Sequence, residues 1–210
     1  DEDETFLYTL SASDVDLDLK WVHGYRCHDV RNNVRISSGG SIVYSAAALG
    51  MVYSKQSEQQ YFLQGIHNDD IISLAMHPDG KKCATGEIAS RAVKNPLIVI
   101  WNTQELQGDA SPEYVSIASK HRRGVKLLTF NDSGELLASV GGDDDNTLIV
   151  YDWGKKMPVL ETPTQKSNVY CSCFMSSPAD NTESNNKKSK KPKAKITDVV
   201  VTAGEKHVKF

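Results

Sequence analysis

Residues 72–86, ISLAMHPDGKKCATG, decide the fold because the chain repeats their pattern at residues 126–140, KLLTFNDSGELLASV. Each copy contains an apolar segment, a turn sequence that ends in Gly, and a second apolar segment. This order is typical of two β-strands joined by a tight turn. A third copy begins at residues 169–174, VYCSCF, and resumes at residues 200–204, VVTAG. The turn of the third copy therefore carries an insertion, which is polar and rich in lysine.

The repeats predict an all-β protein built from propeller blades. In the first two copies a further apolar segment follows and ends in Trp101-Asn102 or Tyr151-Asp152. A unit of this size with several strands fits the ~40–45-residue blade of a β-propeller, whereas a helical solenoid has a different period. No segment has a convincing amphipathic helical pattern. The predicted strands are 33–37, 41–46, 49–53, 60–63, 71–76, 82–85, 97–101, 125–130, 136–140, 148–153, 169–174 and 197–203.

Two histidines precede these aromatic residues at the spacing of WD repeats. His67 precedes Trp101 and His121 precedes Tyr151, which resembles the Gly-His to Trp-Asp layout, although Ile66 separates Gly65 from His67. In WD blades a His, a strand Ser or Thr, a turn Asp and the Trp form a hydrogen-bonded relay. The expected role is structural, because buried polar groups need partners. The relay residues predicted on this pattern are His67, Thr85, Trp101, His121, Ser139, Asp144 (or Asp145) and Tyr151.

A segment before the repeats carries a more specific resemblance. Residues 19–33, LKWVHGYRCHDVRNN, resemble the end of the HELP motif of the echinoderm microtubule-associated protein-like family, and similar motifs continue to residue 210. The resemblance implies a HELP motif followed by a WD-repeat propeller, and it is greatest to the long members with several such units. It also implies that the HELP residues are packing and docking groups between sheets, with direct partner contact as the alternative. These residues are Trp21, His23, Gly24, Tyr25, Arg26, Asp29 and Asn32.

The predicted organisation is a partial propeller of about three to four blades from a larger tandem-propeller protein. An unclosed array would expose its core and its strand edges, so we expect further blades. The predicted divisions are an acidic leader at 1–18, a HELP-like segment with the first blade at 19–62, and WD blades at 63–115, 116–162 and 163–210. The last blade is predicted to be incomplete, with a disordered Lys-rich insertion at 176–195.

Motifs for catalysis, metals and cofactors are lacking in the sequence. There is no phosphate-binding Gly-rich loop, no Gly-x-Ser-x-Gly elbow and no His-Glu-x-x-His, so we expect no enzyme, no metal and no cofactor. The residues 143–145, DDD, could bind a divalent cation but are more simply a solvated turn. Cys171 and Cys173 alternate on one strand without a second pair, which disfavours zinc. The net charge of −3 and the lack of a long apolar run favour neither nucleic acid nor a membrane as a partner.

The resemblance implies binding to tubulin or microtubules, and to other cytoskeletal or axonemal proteins. The expected location is the cytoplasmic microtubule cytoskeleton, with the cilium or flagellum axoneme for some long members. A flexible basic segment could contact acidic tubulin tails, although a solvated loop is the simpler interpretation. The alternative function is a general WD-repeat scaffold for a signalling or ubiquitin complex. The candidate tubulin contacts are Lys187, Lys188, Lys190, Lys191, Lys193 and Lys195.

Overall fold

A computed structural model describes residues 19–90, 94–107, 112–176 and 198–210. These residues form antiparallel β-sheets and one short 3₁₀ turn at Glu105–Gln107. The all-β prediction is confirmed. Within the described residues, no helix is long and apolar enough to cross a membrane.

In the described residues, four sheets follow one another along the chain, and in each the strands pair in sequence order. The first sheet contains β1 (Val34–Ile36), β2 (Ile42–Ala46), β3 (Leu49–Ser54) and β4 (Gln59–Leu63). The second contains β5 (Ile71–Met76), β6 (Lys82–Glu87), β7 (Leu97–Asn102) and β8 (Tyr114–Ala118). The third contains β9 (Val125–Phe130), β10 (Leu136–Gly141), β11 (Leu148–Asp152) and β12 (Met157–Thr162). The fourth contains β13 (Val169–Ser176), β14 (Asp198–Gly204) and β15 (His207–Lys209).

The sheets pack beside one another through their first strands, as propeller blades do. Strand β5 contacts β9, and β9 contacts β13, so the leading strands of successive sheets lie together. The apolar core between the second and third sheets includes Ile98, Ile100, Leu137 and Ile149, all nearly inaccessible to solvent. We refer to the four sheets as blades one to four.

The repeated turn sequences have the backbone that their glycines predict. Gly80 has a φ of 67° and Gly134 a φ of 77°, the left-handed region in which residues with a Cβ are strained. Both glycines close the turn between the first two strands of their blade. The Asp79 carboxylate accepts the backbone N–H groups of Lys81 and Lys82 at 2.7 and 3.0 Å, which holds the first of these turns.

Side-chain contacts join blades two and three at the turn that contains Gly134. The Trp153 indole donates to the Gly134 carbonyl at 2.6 Å, and His77 Nε2 lies 3.1 Å from the same oxygen. The His77 ring also meets the Phe130 ring edge to face at 5.0 Å between centroids. Further along the interface the Ser73 hydroxyl donates to the Val125 carbonyl at 2.5 Å. The blades are therefore joined by directional contacts as well as by apolar packing.

The predicted strands lie close to those found, but three strands were not predicted. These are β8 and β12, the outermost strands of blades two and three, and β15, the last strand of blade four. Almost all of β12 is exposed and it contains Pro158, so it lacks the apolar alternation of a buried strand. Only Ile117 is buried in β8. The paired β8 also crosses the predicted blade boundary between residues 115 and 116.

Candidate functional site

His67, Thr85 and Trp101 are brought together in the interior of blade two. His67 Nε2 lies 2.8 Å from the Thr85 hydroxyl, and the Trp101 indole donates to that hydroxyl at 3.3 Å. Thr85 lies on β6 and Trp101 on β7, while His67 precedes β5. All three side chains are buried. The intrusion of Ile66 next to His67 does not prevent the contact.

Glu87 completes this network in place of the expected turn aspartate. Its carboxylate lies 2.9 Å from His67 Nδ1 and accepts the backbone N–H groups of Asn68 and Leu97, each at 2.9 Å. With a proton on Nδ1, His67 donates to Glu87 and accepts from Thr85. The carboxylate is fully buried, yet these hydrogen bonds outweigh the desolvation and lower the pKa of Glu87.

Sequence reasoning missed Glu87, although a signal was present. Thr85 and Glu87 are two residues apart on β6, and alternate residues of a strand face the same side. A carboxylate at that position therefore points into the same core as the Thr85 hydroxyl.

The corresponding network in blade three is less complete. His121 Nε2 lies 2.8 Å from the Ser139 hydroxyl, as predicted for a relay. The Tyr151 hydroxyl is buried but does not bond to Ser139, and it has no side-chain partner among the described residues. Burial lowers the pKa of His121 to about 4. Gly141 is needed here because a Cβ would lie 2.4 Å from His121 Nδ1.

The carboxylate nearest to His121 is that of Asp143, and the choice of Asp144 for this relay does not fit the structure. Asp143 Oδ2 lies 3.9 Å from His121 Nδ1. Asp144 is 81% exposed and pairs with Arg123 at 2.6 Å. Asp143 also accepts the backbone N–H of Thr147 at 2.8 Å, which fixes the turn so that Asp144 points outward.

The HELP-like segment, residues 19–33, lies across blades one and two. The Trp21 ring packs edge to face on Tyr53 at 6.0 Å between centroids, and the His23 ring is 6.1 Å from Trp21. Val22 exchanges backbone hydrogen bonds with the Gln60 amide at 2.8 and 3.0 Å. An added Cβ at Gly24 would make only ordinary contacts, the nearest at 3.8 Å.

Arg26 is the centre of the second half of this segment. Its guanidinium forms a two-pronged pair with Asp29, at 2.7 and 2.6 Å, and also binds Asp70 just before β5. The hydrogen bonds from Arg26 lower the pKa of Asp29. The Tyr25 hydroxyl donates to Asn33 at 2.6 Å, and Asn33 donates to the Arg26 carbonyl at 2.6 Å. Asn32 has a φ of 57° at the turn into β1.

Residues 27–31 then face a cleft of about 540 Å³ beside the leading strands of the blades. Its other walls come from β5, β9 and β13 and from the loops beside them. The basic residues of the lining are Arg31, Arg123 and Lys126, and Tyr170 lies opposite the HELP-like segment. This cleft is formed by residues far apart in sequence, so no local motif could have revealed it.

Several predicted features stand apart from these clusters. The six candidate lysines at 187–195 lie outside the described residues. The four cysteines are free, with Cys83 buried and Cys27, Cys171 and Cys173 exposed. In the described parts of the chain, no group of three or more His, Cys, Asp or Glu side chains could hold a metal ion.

Comparison with known proteins finds both motifs that the sequence resembles, the HELP motif and the WD repeat. The HELP motif matches residues 13–51 and the WD domain, G-beta repeat, matches residues 113–152. The HELP match begins inside the segment predicted as an acidic leader. Human echinoderm microtubule-associated protein-like 2 is 32% identical over 92% of this chain. The chain belongs to the echinoderm microtubule-associated protein-like family.

Further relatives support this assignment. Human echinoderm microtubule-associated protein-like 1 is 30% identical over 92% of this chain, and the 77 kDa echinoderm microtubule-associated protein of Lytechinus variegatus is 33% identical over 73%. The chain spans about a quarter of the length of these relatives: 27% for protein-like 2, 22% for protein-like 1 and 23% for the 77 kDa protein. With the WD repeat matched, the four sheets are blades of a WD-repeat propeller. The resemblance to the long members stays a prediction.

We predict that Glu87→Gln lowers the free energy of unfolding by about 2–3 kcal/mol, measured by urea denaturation. The Glu87 carboxylate now accepts hydrogen bonds from buried N–H groups. The amide nitrogen of Gln cannot accept a hydrogen bond, so at least one of these buried donors would lose its partner. Glu135→Gln is the matched control, because Glu135 is exposed and its change should stay within about 0.5 kcal/mol. Equal stability of the two variants would contradict the role assigned to Glu87.

We also predict that stability falls as the pH is lowered from about 6.5 to about 4, the unfolded and folded pKa values of His121. The unfolded chain binds the proton more readily, so acid favours unfolding, by up to about 3 kcal/mol across this window. The measurement is urea denaturation at a series of pH values. His121→Gln should flatten the profile above pH 4.5, whereas His28→Gln, at an exposed site, should not. An unchanged slope in His121→Gln would contradict this assignment.

Proposed function

We propose that this protein is a microtubule-associated scaffold that presents propeller surfaces to tubulin or to neighbouring cytoskeletal proteins. The observation that carries the proposal is the match to relatives named microtubule-associated over 92% of the chain, across both the HELP motif and the blades. The proposed location is the cytoplasmic microtubule cytoskeleton. The ciliary axoneme is a further microtubule lattice on which the same surfaces could act.

The blade interiors support a scaffold more than an enzyme. The histidines, hydroxyl groups and carboxylate of the two networks are His67, Thr85, Glu87, His121 and Ser139, and each is buried. A catalytic group must reach its substrate within hydrogen-bond distance, which these groups cannot do from inside a packed blade. Their contacts instead hold strands in one arrangement.

The arrangement between blades supports presentation of a fixed surface. Blades two and three share the His77, Gly134 and Trp153 contacts, and the HELP-like segment binds blade one through Gln60 and reaches Asp70 beside blade two. A surface assembled from several blades keeps its geometry only if the blades do not move separately. Such a surface can spread its contacts over a lattice without a deep pocket.

We expect the full-length protein to co-sediment with taxol-stabilised microtubules at low salt and, to a smaller extent, at moderate salt. The salt effect follows if charged groups contribute, because added ions screen exposed charges. The measurement is the pelleted fraction against tubulin concentration, with the protein alone as the control. Retention in the supernatant under both conditions would contradict the proposal and favour the alternative scaffold without tubulin binding.

The candidate lysines give a separate prediction within the same assay. Replacing Lys187, Lys188, Lys190, Lys191, Lys193 and Lys195 by Gln should weaken sedimentation at low salt more than at moderate salt, because added ions screen the attraction between lysines and acidic groups. The control replaces six exposed lysines elsewhere on the chain. Unchanged affinity would remove the 187–195 segment from the proposal while leaving the blades in it.

A further inference from the structure

The cleft beside residues 27–31 differs in charge from the protein as a whole. The chain has a formal net charge of −3. The charged residues that line the cleft are Arg31, Arg123, Lys126 and Asp29, with His28 beside them. With His28 neutral, this lining carries a net charge of +2. A site whose charge opposes that of its protein attracts ligands that the remaining surface repels.

The one acidic residue of the lining, Asp29, already forms an ion pair with Arg26. Asp29 accepts two hydrogen bonds from Arg26, which does not line the cleft. It therefore does not neutralise the cations across the cleft. The positive charge of Arg31 and Lys126 remains available to an incoming group.

Arg31 is oriented without being neutralised. Its guanidinium carbon lies 5.6 Å above the centroid of the Tyr170 ring, and among the described residues it has no carboxylate partner. The attraction of a cation to an aromatic face holds the guanidinium near the ring without using its N–H groups, which are left to bind a carboxylate in a two-pronged manner. Tyr170 lies on β13, so this contact joins the HELP-like segment to blade four.

Lys126 presents a second cation from β9. Its ammonium has one contact among the described residues, the Asn168 amide oxygen at 3.4 Å, which is neutral. Partial burial lowers the pKa of Lys126. A poorly solvated ammonium gains more from an anionic ligand than an exposed one does. Arg123 adds a third cation at the rim, where its pairing with exposed Asp144 is weak.

The remaining walls of the cleft are apolar. Ile72, Ile88, Leu127 and Val169 lie between the cations and supply surface for aliphatic side chains or for the stems of long acidic ones. The volume of about 540 Å³ is within the usual range of ligand sites and exceeds the need of a single small ion. Nucleic acid would require a broad basic stripe, which three cations around an apolar floor do not form.

We infer that this cleft binds an acidic peptide segment, with Arg31 and Lys126 as the residues that hold its carboxylates and Tyr170 as the platform that positions Arg31. The inference is independent of the microtubule proposal, because any partner with a run of acidic residues has this chemistry. Specificity comes from two cations, one on the HELP-like segment and one on blade three, which only a ligand with more than one carboxylate can engage together.

The test is fluorescence anisotropy with a fluorescein-labelled oligoglutamate peptide, and an oligoglutamine peptide of equal length as the uncharged probe. The protein in every arm carries the six Lys→Gln changes at 187–195, so that this basic segment cannot bind the probe. We expect saturable binding of oligoglutamate and none of oligoglutamine. Absence of saturable binding at low salt would overturn the inference.

The decisive comparison is between two doubly substituted proteins of equal charge. Arg31→Gln with Lys126→Gln should weaken oligoglutamate binding about tenfold or more, because two charge-assisted contacts are lost. Lys55→Gln with Arg122→Gln is the matched control, since these exposed residues do not line the cleft. Lys126→Arg should retain most of the affinity. Thermal unfolding of each variant verifies that the fold is intact.

Three further outcomes would overturn the inference. The first is equal weakening in both double variants, which would mean non-specific attraction to the protein surface. The second is unchanged affinity in the Arg31 and Lys126 double variant. The third is tighter binding of a single-stranded oligonucleotide of equal charge, which would assign the cleft to nucleic acid. Oligoglutamate binding without microtubule co-sedimentation would contradict the proposed function and leave this inference standing.

Discussion

The buried carboxylate of Glu87 is the constraint on which the arrangement of blade two depends. Removing a charged group from water costs free energy unless its lone pairs accept hydrogen bonds in the protein. Glu87 meets this requirement by accepting from His67, from the backbone at Asn68 and from the backbone at Leu97. These donors belong to the loop before β5 and to the start of β7, so the carboxylate fixes both segments relative to β6. The position of Trp101 follows, because its indole binds the same Thr85 hydroxyl that contacts His67.

Blade three shows which part of this arrangement is indispensable. It keeps the contact between histidine and strand hydroxyl, through His121 and Ser139, but lacks a buried carboxylate and has Tyr151 in place of a tryptophan. Packing compensates here, since Tyr151, Leu137 and Ile149 belong to the large core shared with blade two. The histidine is therefore buried with its nearest carboxylate, Asp143, 3.9 Å away, and burial outweighs that carboxylate and lowers the pKa of His121. The same framework is held mainly by hydrogen bonds in one blade and mainly by apolar packing in the next.

The sequence predicted the buried parts of the fold better than the exposed parts, for a physical reason. Strands such as Ile71–Met76 and Val125–Phe130 are rich in apolar residues because they are buried or half-buried along their whole length, and the predicted bounds match them to the residue. Strands β8 and β12 lie at sheet edges, where burial imposes no pattern, and Pro158 is tolerated. Among the network residues, His67, Thr85 and Trp101 could be matched by spacing. The choice between Asp143 and Asp144 could not, because three adjacent carboxylates are alike until the hydrogen bond from Thr147 sets the turn. The cleft could not be predicted, because its walls come from six separate segments of the chain.

The HELP-like segment relates these features to one another. It begins on the outer part of blade one, where Trp21 meets Tyr53, and passes Asp70 at the start of blade two through Arg26. It ends beside blade four, where Arg31 lies over Tyr170. Because one short segment contacts three blades, a change in their relative positions must either move the segment or break its hydrogen bonds. Four hydrogen bonds among Tyr25, Arg26, Asp29 and Asn33 hold the shape of the segment, and the bond from Arg26 to Asp70 ties it to the start of blade two. The same side chains that pack the blades together thus determine the spacing of the cations exposed beside them.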